Sequence, residues 1–194
     1  MLFSKGRLPH NLLFRYNGKE LDIVTEFSYL GLLFSKTGNF QLAKAAQVAK
    51  ALKAMFEVLK NGKLHNLSIQ CQLDLFEKII KPIFLYGSEI WDFSNNESIE
   101  RVHLKFCKIL LKLKMSTPNY MIYRELGLYP MDTDIKVQII SYWARLLTGK
   151  QSKLSFLIYK YMYNLSLSNN INFDQIEFVK GVFDHCGYTW GPTI

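Results

Sequence analysis

Residues 27–59 read FSYLGLLFSKTGNFQLAKAAQVAKALKAMFEVL, and the hydrophobic period changes inside them. From Phe27 to Ser35 aromatic and aliphatic residues crowd together, and one strand is predicted there. Lys36-Thr37-Gly38-Asn39 breaks the pattern. From Phe40 onward, Leu42, Ala45, Ala49, Leu52, Phe56 and Leu59 recur at steps of 3, 4, 3, 4 and 3. Such steps keep side chains on one helical face, so these six form the predicted apolar seam of a first helix. Asn61-Gly62 is expected to end it, because glycine readily takes the left-handed conformation common at helix ends.

On the N-terminal side, Leu12–Tyr16 and Lys19–Ile23 flank Asn17-Gly18. Asn-Gly supplies the two positive φ angles of a two-residue hairpin turn. Leu21 and Ile23 alternate with Glu20 and Asp22, the period of a half-buried strand. On the C-terminal side the chain reads as helices. One should run from Ser68 toward Trp91, with Ser68 as N-cap and Pro82 kinking or splitting it. Asn95 or Asn96 should cap the next, whose seam is Ile99, Val102, Phe106, Ile109 and Leu113; Pro118 closes that stretch. Further helices are expected around Tyr120–Leu126, Asp132–Leu147, Leu154–Tyr163 and Phe173–His185, with Ser166–Asn172 as a polar loop. No repeat of fixed length is present. The fold class is therefore mainly α with a small N-terminal antiparallel β element, an α+β arrangement dominated by a helical bundle. Three regions are predicted: 1–38, 39–115 and 116–194.

The chain has 194 residues, 49% of them hydrophobic, enough for a packed core. Its formal charge of +8 is uneven. Residues 1–63 hold ten Lys/Arg against four Asp/Glu, whereas 64–115 and 116–194 each hold seven against six. A basic excess favours polyanions, nucleic acid first and anionic membrane second. Cys71, Cys107 and Cys186 are far apart and form no C-x-x-C pair, which argues against a disulfide framework or zinc site. They fit a reducing, intracellular compartment, with nucleus and cytoplasm not distinguished. The longest apolar candidate, Ile79–Trp91, carries Lys81, Pro82, Ser88 and Glu89, so no membrane span is expected.

No catalytic group emerges. Two-metal nucleotidyl transfer needs clustered carboxylates, and the sequence has no Asp-Asp pair. Asp132-Thr133-Asp134 follows Pro130 at a helix start, where Asp serves as a cap and meets the positive end of the helix dipole. His10, His65, His103 and His185 are isolated, and adjacent His185-Cys186 side chains on a helix diverge. No glycine-rich phosphate loop, cofactor site or metal site is expected. The basic residues carry more information. Arg101, Lys105, Lys108 and Lys112, spaced 4-3-4, form one stripe on the third helix. Lys50, Lys53 and Lys60 recur on the first, with Glu57 interrupting. Charges repeated along a rigid rod suit a phosphate backbone.

Several stretches together resemble the region after the active site in LINE-type (non-LTR) retrotransposon reverse transcriptases. Phe27-Ser28-Tyr29-Leu30-Gly31, followed by Ser35-Lys36-Thr37-Gly38, resembles the family's F-x-Y-L-G element and the turn into the thumb. Leu85-Tyr86-Gly87-Ser88-Glu89-Ile90-Trp91 is similar to its Y-G-x-E-x-W element, and Ile99–Phe106 to the helix bearing basic residues. Arg124–Met131 resembles the e-L-G-x-x-P-l turn, and Phe178-Val179-Lys180 through Gly187 and Trp190 a stretch further downstream. The order and spacing of these elements run through nearly the whole chain. The family's fingers, palm aspartates, endonuclease and C-terminal metal-binding segment are not in this sequence.

The resemblance implies that Phe27, Tyr29, Leu30 and Gly31 form a primer-grip strand. It implies that the helices from Phe40 to about Met115 form a thumb along the minor groove of a template–primer duplex. Lys44, Lys50 and Lys53, with Arg101, Lys105 and Lys108 and the stripe's last member Lys112, would contact phosphates. Tyr86, Glu89 and Trp91 would be structural. The metal-binding aspartates would lie N-terminal to Met1, so the chain is expected not to be an enzyme by itself. Its expected partners are RNA or an RNA/DNA hybrid duplex and the palm and fingers of a longer polymerase, with no membrane. Two other readings stand beside this one: a helical protein-interaction module, and a degenerate reading frame without selected function.

Overall fold

A computed structural model describes residues 13–38, 40–91, 96–169 and 171–187. The expectations placed on Leu12, His10, Asn39, Asn95 and Trp190, and on the Trp91 side chain, lie outside the described residues. Two antiparallel hairpins, β1 (Phe14–Tyr16) with β2 (Lys19–Leu21) and β3 (Glu26–Tyr29) with β4 (Leu32–Ser35), precede a helical remainder. The helices are α1 (Gln41–Leu64), α2 (Ile69–Leu75), α3 (Lys81–Leu85), α4 (Ser88–Trp91), α5 (Glu97–Leu110), α6 (Asn119–Leu126), α7 (Met131–Thr148), α8 (Leu154–Asn169) and α9 (Asp174–His185). The mainly α class with a small N-terminal antiparallel β element is what the sequence predicted.

Contacts divide the chain into two units. The first comprises the described residues through Tyr86 together with Arg101–Ser116; the second comprises Gly87–Glu100 and the residues from Thr117 on.

In the first unit, the single strand expected over Phe27–Ser35 is a hairpin. Leu30 and Gly31 have φ of 48° and 82°, so the chain reverses there, pairing Tyr29 with Leu32 and Phe27 with Phe34. Asn17 and Gly18 (φ 49° and 75°) make the same kind of turn, pairing Tyr16 with Lys19. Strand β2 stops at Leu21, and both Leu21 and Ile23 are exposed, so the half-buried strand inferred from their alternation is absent.

Helix α1 departs further from expectation. Its buried face is Ala43, Lys44, Gln47, Ala51, Met55, Val58 and Gly62. Leu42, Ala45, Ala49 and Phe56 of the predicted seam are exposed, and Leu52 and Leu59 are half-buried. The six alanines of α1 fit either face, so the buried face joins small residues, which let neighbours approach closely, to Met55 and Val58. Gly62 shows why. A Cβ on it would lie 2.4 Å from Gln72 Oε1, whose amide nitrogen donates to the Leu67 carbonyl at 2.9 Å. Gly62 is thus a packing glycine inside the helix, not its stop. The helix ends after Leu64, where Asn66 takes the left-handed conformation (φ 48°) and Leu67 N–H bonds the Gly62 carbonyl at 2.9 Å.

Ser68 caps α2, its hydroxyl accepting from Cys71 N–H at 3.2 Å. Pro82 follows one residue into α3, and a π-helical turn, Phe76–Ile80, lies just before it. Proline offers no N–H and its ring crowds the carbonyl four residues back, so the backbone widens there. Against these helices, α5 buries Val102, His103, Phe106 and Cys107. Phe76 stacks on Phe106 (centroids 4.6 Å) and on His103 (5.0 Å), and Ile80, Phe84 and Met55 complete the core.

In the second unit, Ile99 of α5 is buried and Asn96 occupies the position before the helix, its carbonyl accepting from Glu100 N–H. Tyr123 of α6 donates to Glu100. Gly127 (φ 64°) closes α6 in the left-handed conformation. Leu146, Tyr159 and Ile176 of α7, α8 and α9 form a core with Trp143, Leu147, Met162 and Phe173 packed round it. Helix α8 continues to Asn169, through most of the predicted loop Ser166–Asn172.

Candidate nucleic-acid interface

The first unit brings the sequence-predicted basic residues together on two helices, but not as one stripe. Arg101 and Lys105 are exposed one turn apart on α5. Lys108 is buried, and its Nζ donates to the Met115 carbonyl at 2.8 Å. A seven-residue step keeps Lys108 within about 20° of Arg101 on the helix. Its burial follows from the chain beyond α5 folding back. That reversal occurs at Lys112, whose φ is 54° and whose successor's N–H bonds the Lys108 carbonyl at 2.8 Å. Since α5 ends at Leu110, Lys112 is exposed but leaves the helical face, and Leu113, expected in the seam, lies beyond the helix and is exposed.

On α1 the same sorting occurs. Lys44 is buried beside Gln47, which takes it out of the set of surface cations. Lys50 is exposed, and its Nζ donates to the Gly31 carbonyl at 3.3 Å. Tyr86 donates to the neighbouring Leu30 carbonyl at 2.5 Å. The Leu30-Gly31 turn, strained at Leu30 by its positive φ, is therefore held by α1 and by the residue after α3. Phe27, Tyr29 and Leu30 are themselves exposed.

Lys53 and Lys60 are exposed and flank Phe56 at three and four residues, hence on one helical face. Phe56 is 48% exposed, and Lys105 Nζ lies 5.0 Å above its ring. Sequence reasoning assigned Phe56 to the core; its position between two lysines was the available signal. The result is a face where Lys53, Lys60 and Lys105 surround an exposed aromatic ring. The ring holds the Lys105 ammonium by cation–π attraction, positioning it without neutralising it. Glu57 is exposed beside this face.

The acidic residues at the start of α7 are committed locally. Asp132 accepts from the Asn96 amide at 3.0 Å and pairs with Lys136 at 2.7 Å. Among the described residues no group of three His, Cys, Asp or Glu is arranged to hold a metal ion. No helix among them is long and apolar enough to cross a membrane. Glu89 accepts from Gln138 at 2.6 Å, a contact between α4 and α7. In the second unit burial pushes the Tyr159 phenol up, an effect partly opposed by the Trp143 indole N–H donating to it at 2.9 Å.

No protein-family model, curated protein or solved structure matches this chain.

Proposed function

We propose that this chain is a non-catalytic thumb-and-linker segment of a LINE-type reverse transcriptase that grips the backbone of an RNA/DNA duplex through the α1–α5 face. The observation that carries the reading is the convergence of Lys53, Lys60 and Lys105 on exposed Phe56. Three ammonium groups on two helices, one of them held over the Phe56 ring, offer phosphates a set of cations, and such contacts position a duplex without reading its bases. The family part of the reading rests on the order of the quoted sequence elements. Two of them meet in space, since Tyr86 of the Y-G-x-E-x-W element donates to Leu30 of the F-x-Y-L-G element.

Fluorescence anisotropy with a labelled RNA/DNA hybrid at low salt tests the proposal. Sequence-indifferent binding that weakens as salt rises is expected. Failure to bind any duplex at low salt would remove the binding function.

A second reading, a protein-interaction module, is favoured by the hairpins. Phe14, Tyr16, Leu21, Ile23, Phe27 and Tyr29 are all at least 40% exposed, and apolar patches of this kind mark interaction surfaces. A defined protein partner whose affinity is unchanged by charge reversal at Lys105, together with absent duplex binding, would establish it instead.

A further inference from the structure

The second unit holds a cavity of about 300 Å³ where α7 ends and α8 begins. Arg145 from the last turns of α7, Lys150 and Lys153 from the connecting turn, and Ser155 of α8 line it, with Glu89 of α4 on its wall. The surrounding sequence is unusual. Between Asp134 and Asp174 there are five basic residues, Lys136, Arg145, Lys150, Lys153 and Lys160, and no Asp or Glu. None of the three lining cations makes an ion pair among the described residues. Arg145 Nε donates to the Ser141 carbonyl at 3.3 Å, which orients the guanidinium and leaves its terminal nitrogens for another acceptor. The one lining carboxylate, Glu89, accepts the Gln138 amide at 2.6 Å.

Three exposed positive charges line one concave space, and a single carboxylate offsets only part of that charge. A multivalent oxyanion offsets the rest, and Arg beside Lys supplies the fork and point charges that phosphate oxygens accept. We propose that this cavity binds a phosphate group. Its volume lies at the small end of ligand pockets, so it admits a phosphate alone or one carried on a sugar. None of its residues belongs to the α1–α5 face, so the site stands or falls independently of the duplex-binding proposal.

Isothermal titration of the full chain tests it, using inorganic phosphate, a short 5′-phosphorylated oligonucleotide and the same oligonucleotide unphosphorylated. Phosphate is expected to bind, with Arg145→Ala and Lys153→Ala each weakening it about tenfold, one charge-assisted hydrogen bond's worth. Glu89→Gln should tighten binding several-fold while keeping an acceptor for Gln138, a gain that misfolding cannot produce. Lys160→Ala, outside the cavity wall, should leave affinity unchanged. Tighter binding of the phosphorylated than of the unphosphorylated oligonucleotide, with the difference lost in Arg145→Ala, assigns the site to a nucleic-acid end; phosphate binding with no such difference assigns it to free phosphate. Absence of phosphate binding, or binding indifferent to Glu89→Gln and Arg145→Ala, overturns the proposal.

Discussion

Helices α1 and α5 look alike in sequence, each with apolar residues at steps of three and four and lysines between them, yet they fold by different rules. In α5 the apolar residues Ile99, Val102 and Phe106 are buried. In α1 the larger apolar residues of the regular pattern, Leu42 and Phe56, are outside, while Ala43, Ala51 and Gly62 are inside with Met55 and Val58. Where a large ring such as Phe106 competes with lysine for the interior, the hydrophobic effect decides the face. Where alanine is spread round the whole helix, burial area barely distinguishes the faces, and close approach decides. The consequence is functional. Because α1 turns Phe56 outward, that ring meets Lys105 and becomes part of a cationic surface.

The largest test of this contrast compares two phenylalanines. Phe106→Ala should cost about 3–5 kcal/mol in urea unfolding, the usual penalty for emptying an aromatic site in a core. Phe56→Ala should change stability by no more than about 0.5 kcal/mol, as for a surface position. Equal costs would erase the distinction between the helices. A second test is Gly62→Ala, whose Cβ must push the Gln72 side chain aside and break its bond to the Leu67 carbonyl, a loss of about 0.5–1.5 kcal/mol that should cancel alanine's usual helix advantage of about 1 kcal/mol. A gain in stability, as expected for glycine at an open helix position, would show that α1 does not pack closely there.

Lys108 and Lys105 sharpen the comparison within α5 itself. Lys108→Ala removes the donor to the Met115 carbonyl and should cost about 1–2 kcal/mol of stability. Lys105→Ala, on the exposed face, should leave stability nearly unchanged and weaken duplex binding. Parallel urea and binding titrations separate the two.

The smallest expected effect lies in the second unit. The Tyr159 pKa is raised from its ordinary value of 10.0, so folding favours the neutral phenol. Its stabilising contribution is complete below that value and is lost as pH rises through the folded-state pKa. Spectrophotometric titration should find one tyrosine ionising late, with α7–α9 loosening as it does. A Tyr159 that titrates with the exposed tyrosines would contradict its burial.

The helical class was legible because long periodic segments and their punctuation agree. Ser68 and the seam from Ile99 to Phe106 act as read. What escaped depended on contacts remote in sequence. Leu30 in a left-handed turn carries no local mark, since leucine is rarely found there; the turn is made by Gly31 and held by Lys50 and Tyr86. Lys44 and Lys108 read as surface charges because lysine usually is one. The tertiary packing of α1 buries the first, and the returning chain at Met115 accepts from the second. The candidate face was legible in residue type, as lysines on two helices, but its centre at Phe56 was hidden by the alanine-rich ambiguity of α1. The extent of α8 beyond Tyr163 was masked by serine and asparagine, which favour turns when no neighbour packs against them.

The α1–α5 face is tested most directly by the salt dependence of RNA/DNA hybrid binding. Each lysine that contacts a phosphate contributes about 0.7–0.9 to the slope of log affinity against log salt concentration. The Lys53→Gln, Lys60→Gln, Lys105→Gln triple variant should therefore show a slope shallower by about 2–3 than the parent chain. A triple variant with the parent's affinity and slope would contradict the assignment of this face to nucleic acid.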